Sequence, residues 1–156
     1  MMAAPGRTCF RGRVVLISAF DVVWDGARWP NFTAHELACR CGRYCQAEYW
    51  HDPGFLDALQ ALRSRWGRPL VVNSGHRCDL HNAAVGGAPL SAHKKMAVDL
   101  STRGLNTAER GQLLGLARAE GFTGFGFYST WLHLDRGRPR YWFSGKGGRA
   151  RWQSLI

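Results

Sequence analysis

Two short apolar segments of the sequence carry histidine and aspartate side chains at positions from which they could share a metal ion. In Trp131-Leu-His-Leu-Asp135 and Ala97-Val-Asp-Leu-Ser101, apolar residues alternate with polar ones, which is typical of strands with one buried face. The alternation places His133 and Asp135 on the polar face of one strand and Asp99 on the polar face of the other. If the strands lie in one sheet whose aliphatic face packs on helices, Asp99 and His133 emerge on the same exposed face.

A second histidine lies close enough along the chain to complete a ligand set. His93 is six residues before Asp99, in a polar loop that leads into the strand and is able to fold back over this face. Two imidazoles and one carboxylate suit Zn²⁺, and three protein ligands leave a fourth position for water, whose pKa zinc lowers toward about 7. The pattern predicts zinc-assisted hydrolysis of an amide with His93, Asp99 and His133 as ligands. Each residue taken singly is also compatible with a solvated loop histidine or a turn-capping aspartate.

The elements that must position these residues are predicted from periodicity and capping signals. The clearest helix runs from Pro53 to Gly67, and a second is opened by a capping arrangement at Asn106 and ends before Gly121. Shorter helical segments are predicted near residue 34 and over 79–85. The predicted strands are 69–73, 97–101, 122–128, 131–136 and 141–144. Because helices come early and neighbouring strands are joined by tight turns, we predict an α+β fold with a largely antiparallel sheet and helices on one face.

The segment from Ser74 onward carries an ordered set of motifs. It closely resembles the signature of the zinc D,D-peptidases of the D-alanyl-D-alanine carboxypeptidase family, which share their fold with the hedgehog signalling domain. In that family S-G-x-R precedes H-N-x-x-V-G-G-A, S-x-H, an A-x-D strand and an H-x-D strand. The matching segments here are Ser74–Arg77, His81–Ala88, Ser91–His93, Ala97–Asp99 and His133–Asp135.

The resemblance implies a role for each matched residue. It implies His93, Asp99 and His133 as zinc ligands, Arg77 as the group that steadies the substrate or the developing oxyanion, and Ser91 as a residue near the bound peptide. A surface salt bridge is the alternative for Arg77, and holding the loop is the alternative for Ser91. The substrate implied is the peptide part of bacterial peptidoglycan. The segment 121–128 also resembles phage endolysin-like and gene-transfer-agent members.

Two departures from the family pattern concern the ligand loop and the general base. The family usually has seven residues from the first histidine to the aspartate, with a glycine between them, whereas this chain has six and no glycine. We place the deletion in the loop and keep both ligands. Many relatives have a carboxylate three residues before the last histidine, where this chain has Thr130. Asp135 is therefore the candidate base, with orientation of a ligand imidazole as its alternative; His76 and His81 are weaker candidates.

Composition and charge limit the classes of function. The chain has 156 residues and a net charge of +10, which fits one domain and suggests an anionic partner such as a wall polymer or lipopolysaccharide. No apolar run is long enough to span a membrane, and no nucleic-acid-binding signature accompanies the charge. We predict an N-terminal extension over 1–30, a zinc peptidase domain over 31–144 and a basic tail over 145–156, in a monomer.

The cysteines leave three possibilities open. Three of the five cluster at Cys39, Cys41 and Cys45. With Cys78 or His51 as a fourth ligand they would make a structural zinc site, although the spacing is not that of the usual paired knuckles. A disulfide to Cys78 and free thiols are the alternatives.

The functional prediction is a zinc metallopeptidase that hydrolyses peptidoglycan peptides as a D,D-carboxypeptidase or endolysin-like endopeptidase. The alternative is a catalytically degenerate module of the same fold that binds cell-wall peptide. The apolar stretch after Arg13 is interrupted by Asp21 and lacks a cleavage site, so no signal peptide is predicted. We expect the protein to be made in the cytoplasm and to act in the periplasm, in the cell wall or in a phage-like particle.

Overall fold

The computed structural model describes residues 12–156, and its elements follow the local sequence signals closely. The helices are α1 (Ala34–Leu37), α2 (Pro53–Trp66), α3 (Asp79–Ala84), α4 (Thr107–Ala119) and α5 (Gly145–Trp152), with short 3₁₀ turns at Ala92–Lys94 and Gln153–Leu155. The strands are β1 (Val15–Ser18), β2 (Glu48–His51), β3 (Val72–Ser74), β4 (Ala97–Ser101), β5 (Gly124–Phe127), β6 (Trp131–Asp135) and β7 (Arg140–Phe143).

Side-chain caps explain where the helices begin. Thr33 and Glu36 form a capping box at the start of α1, and Asn106 and Glu109 form another at the start of α4. The Asp52 side chain accepts the amide of Phe55 at the start of α2. The predicted boundaries therefore hold to within a few residues.

A five-stranded sheet in the order β3-β4-β6-β5-β7 forms the centre of the fold. Its pairs are antiparallel except β5 with β7, which is parallel. The aliphatic face, including Leu132 and Leu134, packs with α2 and α4 in one core. These features confirm the predicted α+β fold with helices against a largely antiparallel sheet.

Two elements are additional to those the sequence predicts. The segment Glu48–His51 forms β2, which pairs antiparallel with β1 in a separate two-stranded sheet. Residues 145–152, within the predicted tail, form α5, and its Trp152 is fully buried in the core. Within residues 12–156, no helix combines the length and apolarity that crossing a membrane requires.

Candidate metal centre

The register of two central strands places the predicted ligands side by side. In the antiparallel pair β4–β6, Asp99 lies directly opposite His133. Directly opposed residues present their side chains to the same face at close range. The predicted shared face is therefore present, but it is not exposed as expected, since His133 is only 3% accessible to solvent. The turn that carries His93 and the ring of Trp142 both lie against His133 on that face.

Three donor atoms converge at one point. The Nδ1 of His133 is 3.0 Å from the Oδ1 of Asp99 and 3.1 Å from the Nε2 of His93, and that Nε2 is 3.2 Å from the same oxygen. Ligand atoms about 2.0–2.1 Å from a tetrahedral zinc ion are roughly 3.3 Å from one another. We call His93, Asp99 and His133 the triad; its spacing fits a zinc ion, and the three residues form one group able to hold a metal.

Hydrogen bonds on the far side of each imidazole determine which nitrogen carries the proton. The Nδ1 of His93 is 2.7 Å from the carbonyl oxygen of Gly75, which only accepts, so this nitrogen donates and Nε2 keeps its lone pair. The Nε2 of His133 is 2.7 Å from Oδ2 of Asp135, which leaves the lone pair of its Nδ1 facing the triad. Two lone pairs and a carboxylate oxygen thus face one another and require a positive charge between them.

The pKa values of Asp99 and His133 also indicate that a positive charge is favoured at this point. Burial acts to raise the pKa of Asp99, but in the metal-free site the imidazoles of His133 and His93, when protonated on the nitrogens that face Asp99, donate hydrogen bonds that outweigh it and lower the value to about 2. Burial acts to lower the pKa of His133, and its hydrogen bonds with Asp135 and Asp99 reverse the direction and raise it. The site favours an anionic carboxylate and a cation beside it, and a bound metal ion would supply that charge.

Asp135, the candidate base, lies behind the triad in a saturated network. Its carboxylate is 1% exposed and accepts hydrogen bonds from His133, from both Nη atoms of Arg140 at 2.7 Å and from the amide of Gly137. These bonds outweigh the effect of burial and keep the pKa of Asp135 well below its ordinary value. The arrangement matches that of a carboxylate that orients a ligand imidazole. Arg140 has no place in the site predicted from the sequence, although its guanidinium completes this network.

Two glycines of β5 leave room for this network. A Cβ atom at Gly124 would overlap the Arg140 guanidinium and the Asp135 carboxylate, and a Cβ at Gly126 would overlap the Trp142 ring and His133. Both glycines pair with residues of β6, Gly124 with Asp135 and Gly126 with His133. The alternation of glycine and phenylalanine in β5 is thus a sequence signal of a crowded site face.

Of the remaining predicted site residues, Arg77 and Ser91 lie next to His93. The backbone amide of Arg77 donates to the carbonyl of His93 at 2.7 Å, and its Nη2 donates to the hydroxyl of Ser91 at 3.3 Å. The Arg77 Nε is buried without a partner among the described residues. His76 is also buried, with its Nδ1 2.9 Å from the carbonyl of Lys95, and burial lowers its pKa. His81 lies on α3, outside the triad.

A cleft of about 750 Å³ opens beside the network. Its lining includes Ser91 and Asp135 together with several basic side chains. The basic residues are Lys94, Lys95, Arg136, Arg138 and Arg140. An extended ligand that carries carboxylates would find opposite charge along this cleft.

Comparison with known protein families gives a match over most of the chain. A family model described as Peptidase M15 matches residues 30–135, which is more than half of the chain and includes all three members of the triad. Among curated proteins no match to the chain is found.

Proposed function

Since the chain belongs to the Peptidase M15 family, we propose that it is a zinc peptidase that hydrolyses the peptide part of bacterial peptidoglycan. The single observation that supports this most directly is the convergence of two imidazole lone pairs and one carboxylate oxygen at 3.0–3.2 Å. His93, Asp99 and His133 would hold the ion. When bound, zinc supplies an activated water molecule and polarises a carbonyl group.

Asp135 is proposed as a positioning residue and not as the general base. Its two oxygens already accept four hydrogen bonds, and Arg140 neutralises its charge. A base must accept a proton from water near the scissile bond, whereas this carboxylate lies behind His133 and is almost fully buried. Its role is to hold His133 in the tautomer that directs Nδ1 toward the metal.

Arg77 and Ser91 are proposed to bind the substrate. The backbone of Arg77 is fixed by His93, and its guanidinium donates to the Ser91 hydroxyl, which also accepts from the amide of His93. A permanently charged group there suits a substrate carboxylate or the oxyanion that develops as water adds to the carbonyl carbon. The basic cleft is lined by Ser91 but by no member of the triad, so we assign it to carboxylates of the stem peptide away from the cleaved bond or, more broadly, to an anionic wall or lipopolysaccharide surface.

The proposed substrate implies where the enzyme would act. An endolysin-like role in a phage, prophage or gene-transfer-agent particle is supported by the resemblance of residues 121–128 and would place the enzyme at the cell wall. D,D-carboxypeptidase and endopeptidase activity differ in the bond that is cut, and the products distinguish them. In either case hydrolysis adds a hydroxyl to the carbonyl carbon and a proton to the amide nitrogen.

The test is digestion of purified peptidoglycan by zinc-loaded protein, with soluble peptides identified by mass spectrometry. We expect released peptides or free D-alanine from the native chain, none from His133→Ala, and native levels from His35→Ala, which alters an exposed histidine on α1. Equal activity in the native and His133→Ala proteins would exclude the mechanism. Cosedimentation with sacculi without any released product would instead favour the degenerate binding module.

A further inference from the structure

The second group of metal-binding side chains lies outside the triad. The sulfur atoms of Cys39, Cys41, Cys45 and Cys78 all lie within 4.8 Å of one another, and all four thiols are free. We call these residues the cysteine cluster. The fourth member is Cys78 and not His51, whose Nδ1 is 2.7 Å from the hydroxyl of Tyr49. The remaining cysteine, Cys9, lies outside the described residues.

The spacing of the sulfur atoms fits a tetrahedral ion. Four thiolates about 2.3 Å from zinc are roughly 3.8 Å from one another. The Sγ atoms of Cys41 and Cys45 are 3.6 Å apart, and no other pair of the four sulfur atoms is more than 4.8 Å apart. Four sulfur ligands make a closed set, which is the pattern of a structural zinc site and leaves no position for water.

Backbone amides are directed at two of the sulfur atoms. The amide of Tyr44 donates to Cys41 Sγ at 3.3 Å, and the amide of Cys78 donates to Cys39 Sγ at 3.4 Å. Amide donors of this kind favour the thiolate, which is the form that binds metal. Cys78 is the residue before α3, yet its side chain makes no capping hydrogen bond to that helix. A surface depression of about 600 Å³ that includes Cys39 and Cys45 gives an ion a path of entry.

The loop that carries three of the cysteines is held on one side by Arg40, which donates to the carbonyls of Glu36, Val72 and Asn73, and on the other by Gln46, whose carbonyl accepts from Ser18, but it has little to order it between them. Residues 38–47, which we call the cysteine loop, contain neither helix nor strand. Its ends are anchored, since the amide of Cys39 donates to Glu48 and the carbonyl of Ala47 accepts from Ala19. Between these anchors Arg43 and Tyr44 are exposed to solvent. A crosslink through an ion would supply the order that secondary structure does not.

We propose that Cys39, Cys41, Cys45 and Cys78 bind a structural zinc ion that fastens the cysteine loop to the segment supporting His93. That segment is residues 75–78. The carbonyl of Gly75 accepts from the His93 imidazole, the amide of Arg77 donates to the His93 carbonyl, and the amide of His76 donates to Leu37 beside the loop. Binding releases the thiol protons to solvent and leaves the oxidation state of sulfur unchanged.

Zinc content of the full-length protein, purified under reducing conditions, tests the proposal. We expect two zinc ions per chain in the native protein and in Cys9→Ser, and one in Cys41→Ser/Cys45→Ser. We also expect one in His93→Ala/His133→Ala. If the native chain holds one ion that only the histidine variant loses, the cysteine site is excluded and the proposed function stands. If only the cysteine variant loses an ion, the triad fails as a metal site while the cysteine site stands.

A second measurement needs no variant and therefore does not depend on folding of altered chains. An organic mercurial that titrates thiols should release one of the two zinc ions from the native protein. The same treatment should increase the rate of tryptic cleavage after Arg43 at least about tenfold, since the loop loses its crosslink. Release of no zinc, or an intact-protein mass lower by two hydrogens from a disulfide in the cluster, would overturn the proposal.

Discussion

The two candidate metal-binding groups of this chain, the triad and the cysteine cluster, are positioned in opposite ways. Two members of the triad, Asp99 and His133, lie on adjacent strands whose register fixes them opposite each other. Three members of the cysteine cluster lie on a loop without regular structure. A sheet brings donor atoms together through its own hydrogen bonds, so the ion can be left an open position for chemistry. A loop needs the ion as its crosslink, so all four positions are taken by protein.

The largest effect is expected from removing a strand-borne ligand. His133→Ala should reduce hydrolysis of peptidoglycan by more than about 100-fold, because losing a ligand costs more than the 10–100-fold typical of losing its outer partner. Because backbone pairing of β4 with β6 sets the register at the site, the metal-free variant should keep the far-ultraviolet circular dichroism of the native protein. Activity and zinc content are measured on the same preparation. A collapse of the fold in this variant would remove the distinction between the two sites.

A smaller loss is expected when the support behind the ligand is altered. Asp135→Asn should lower zinc affinity or activity about 10–100-fold, because the carboxylate that orients His133 is weakened. The acidic limb of the pH–rate profile should remain, since a positioning residue does not exchange the catalytic proton. Asp57→Asn, which alters a half-exposed carboxylate paired with Arg28, serves as the matched control and should keep native activity. Loss of the acidic limb in Asp135→Asn would restore Asp135 as the base.

The positions of Asp99 and His133 could be predicted because the alternation of apolar and polar residues within each short strand shows which face each side chain occupies. Alternation of apolar and polar residues in β4 and β6 assigned Asp99 and His133 to one face, and antiparallel pairing then made them neighbours. The contacts of Asp135 were not predictable in the same way. Arg140 reaches that carboxylate from β7, which pairs in parallel with β5, and a parallel pairing leaves no turn signal in the sequence.

The cysteine cluster shows where reading the sequence reaches its limit. Three cysteines within seven residues indicated a site, but Cys78 lies 33 residues beyond Cys45, and only the folded chain brings them together. His51, only six residues after Cys45, was the other candidate for the fourth ligand. In the structure it belongs to β2, where its ring contacts Tyr49 and Trp29 instead. Tertiary packing, and not spacing, decides between the two.

Packing behind the triad gives a third test of how rigid the sheet-borne site is. Gly126→Ala should destabilise the protein by about 1–3 kcal/mol, because a Cβ there overlaps Trp142 and His133 and must displace one of them. Gly115→Ala is the matched control on α4, where the added methyl meets no atom within 4 Å. That control should be stabilising by about 0.5–1 kcal/mol. Chemical denaturation of both variants measures the difference, and equal stability would show that the site face tolerates movement.

The smallest effect concerns His51, on the strand that follows the cysteine loop. Burial lowers the pKa of His51, so the folded protein keeps this imidazole neutral while the unfolded chain protonates near pH 6.5. Stability from this group is therefore complete above about pH 6.5 and is lost as the pH falls toward the lower folded value, by at most about 1.4 kcal/mol per pH unit. His51→Gln should flatten the dependence of the free energy of unfolding on pH over this interval, measured with metal-free protein. An unchanged slope in His51→Gln would show that burial of His51 does not cause the pH dependence.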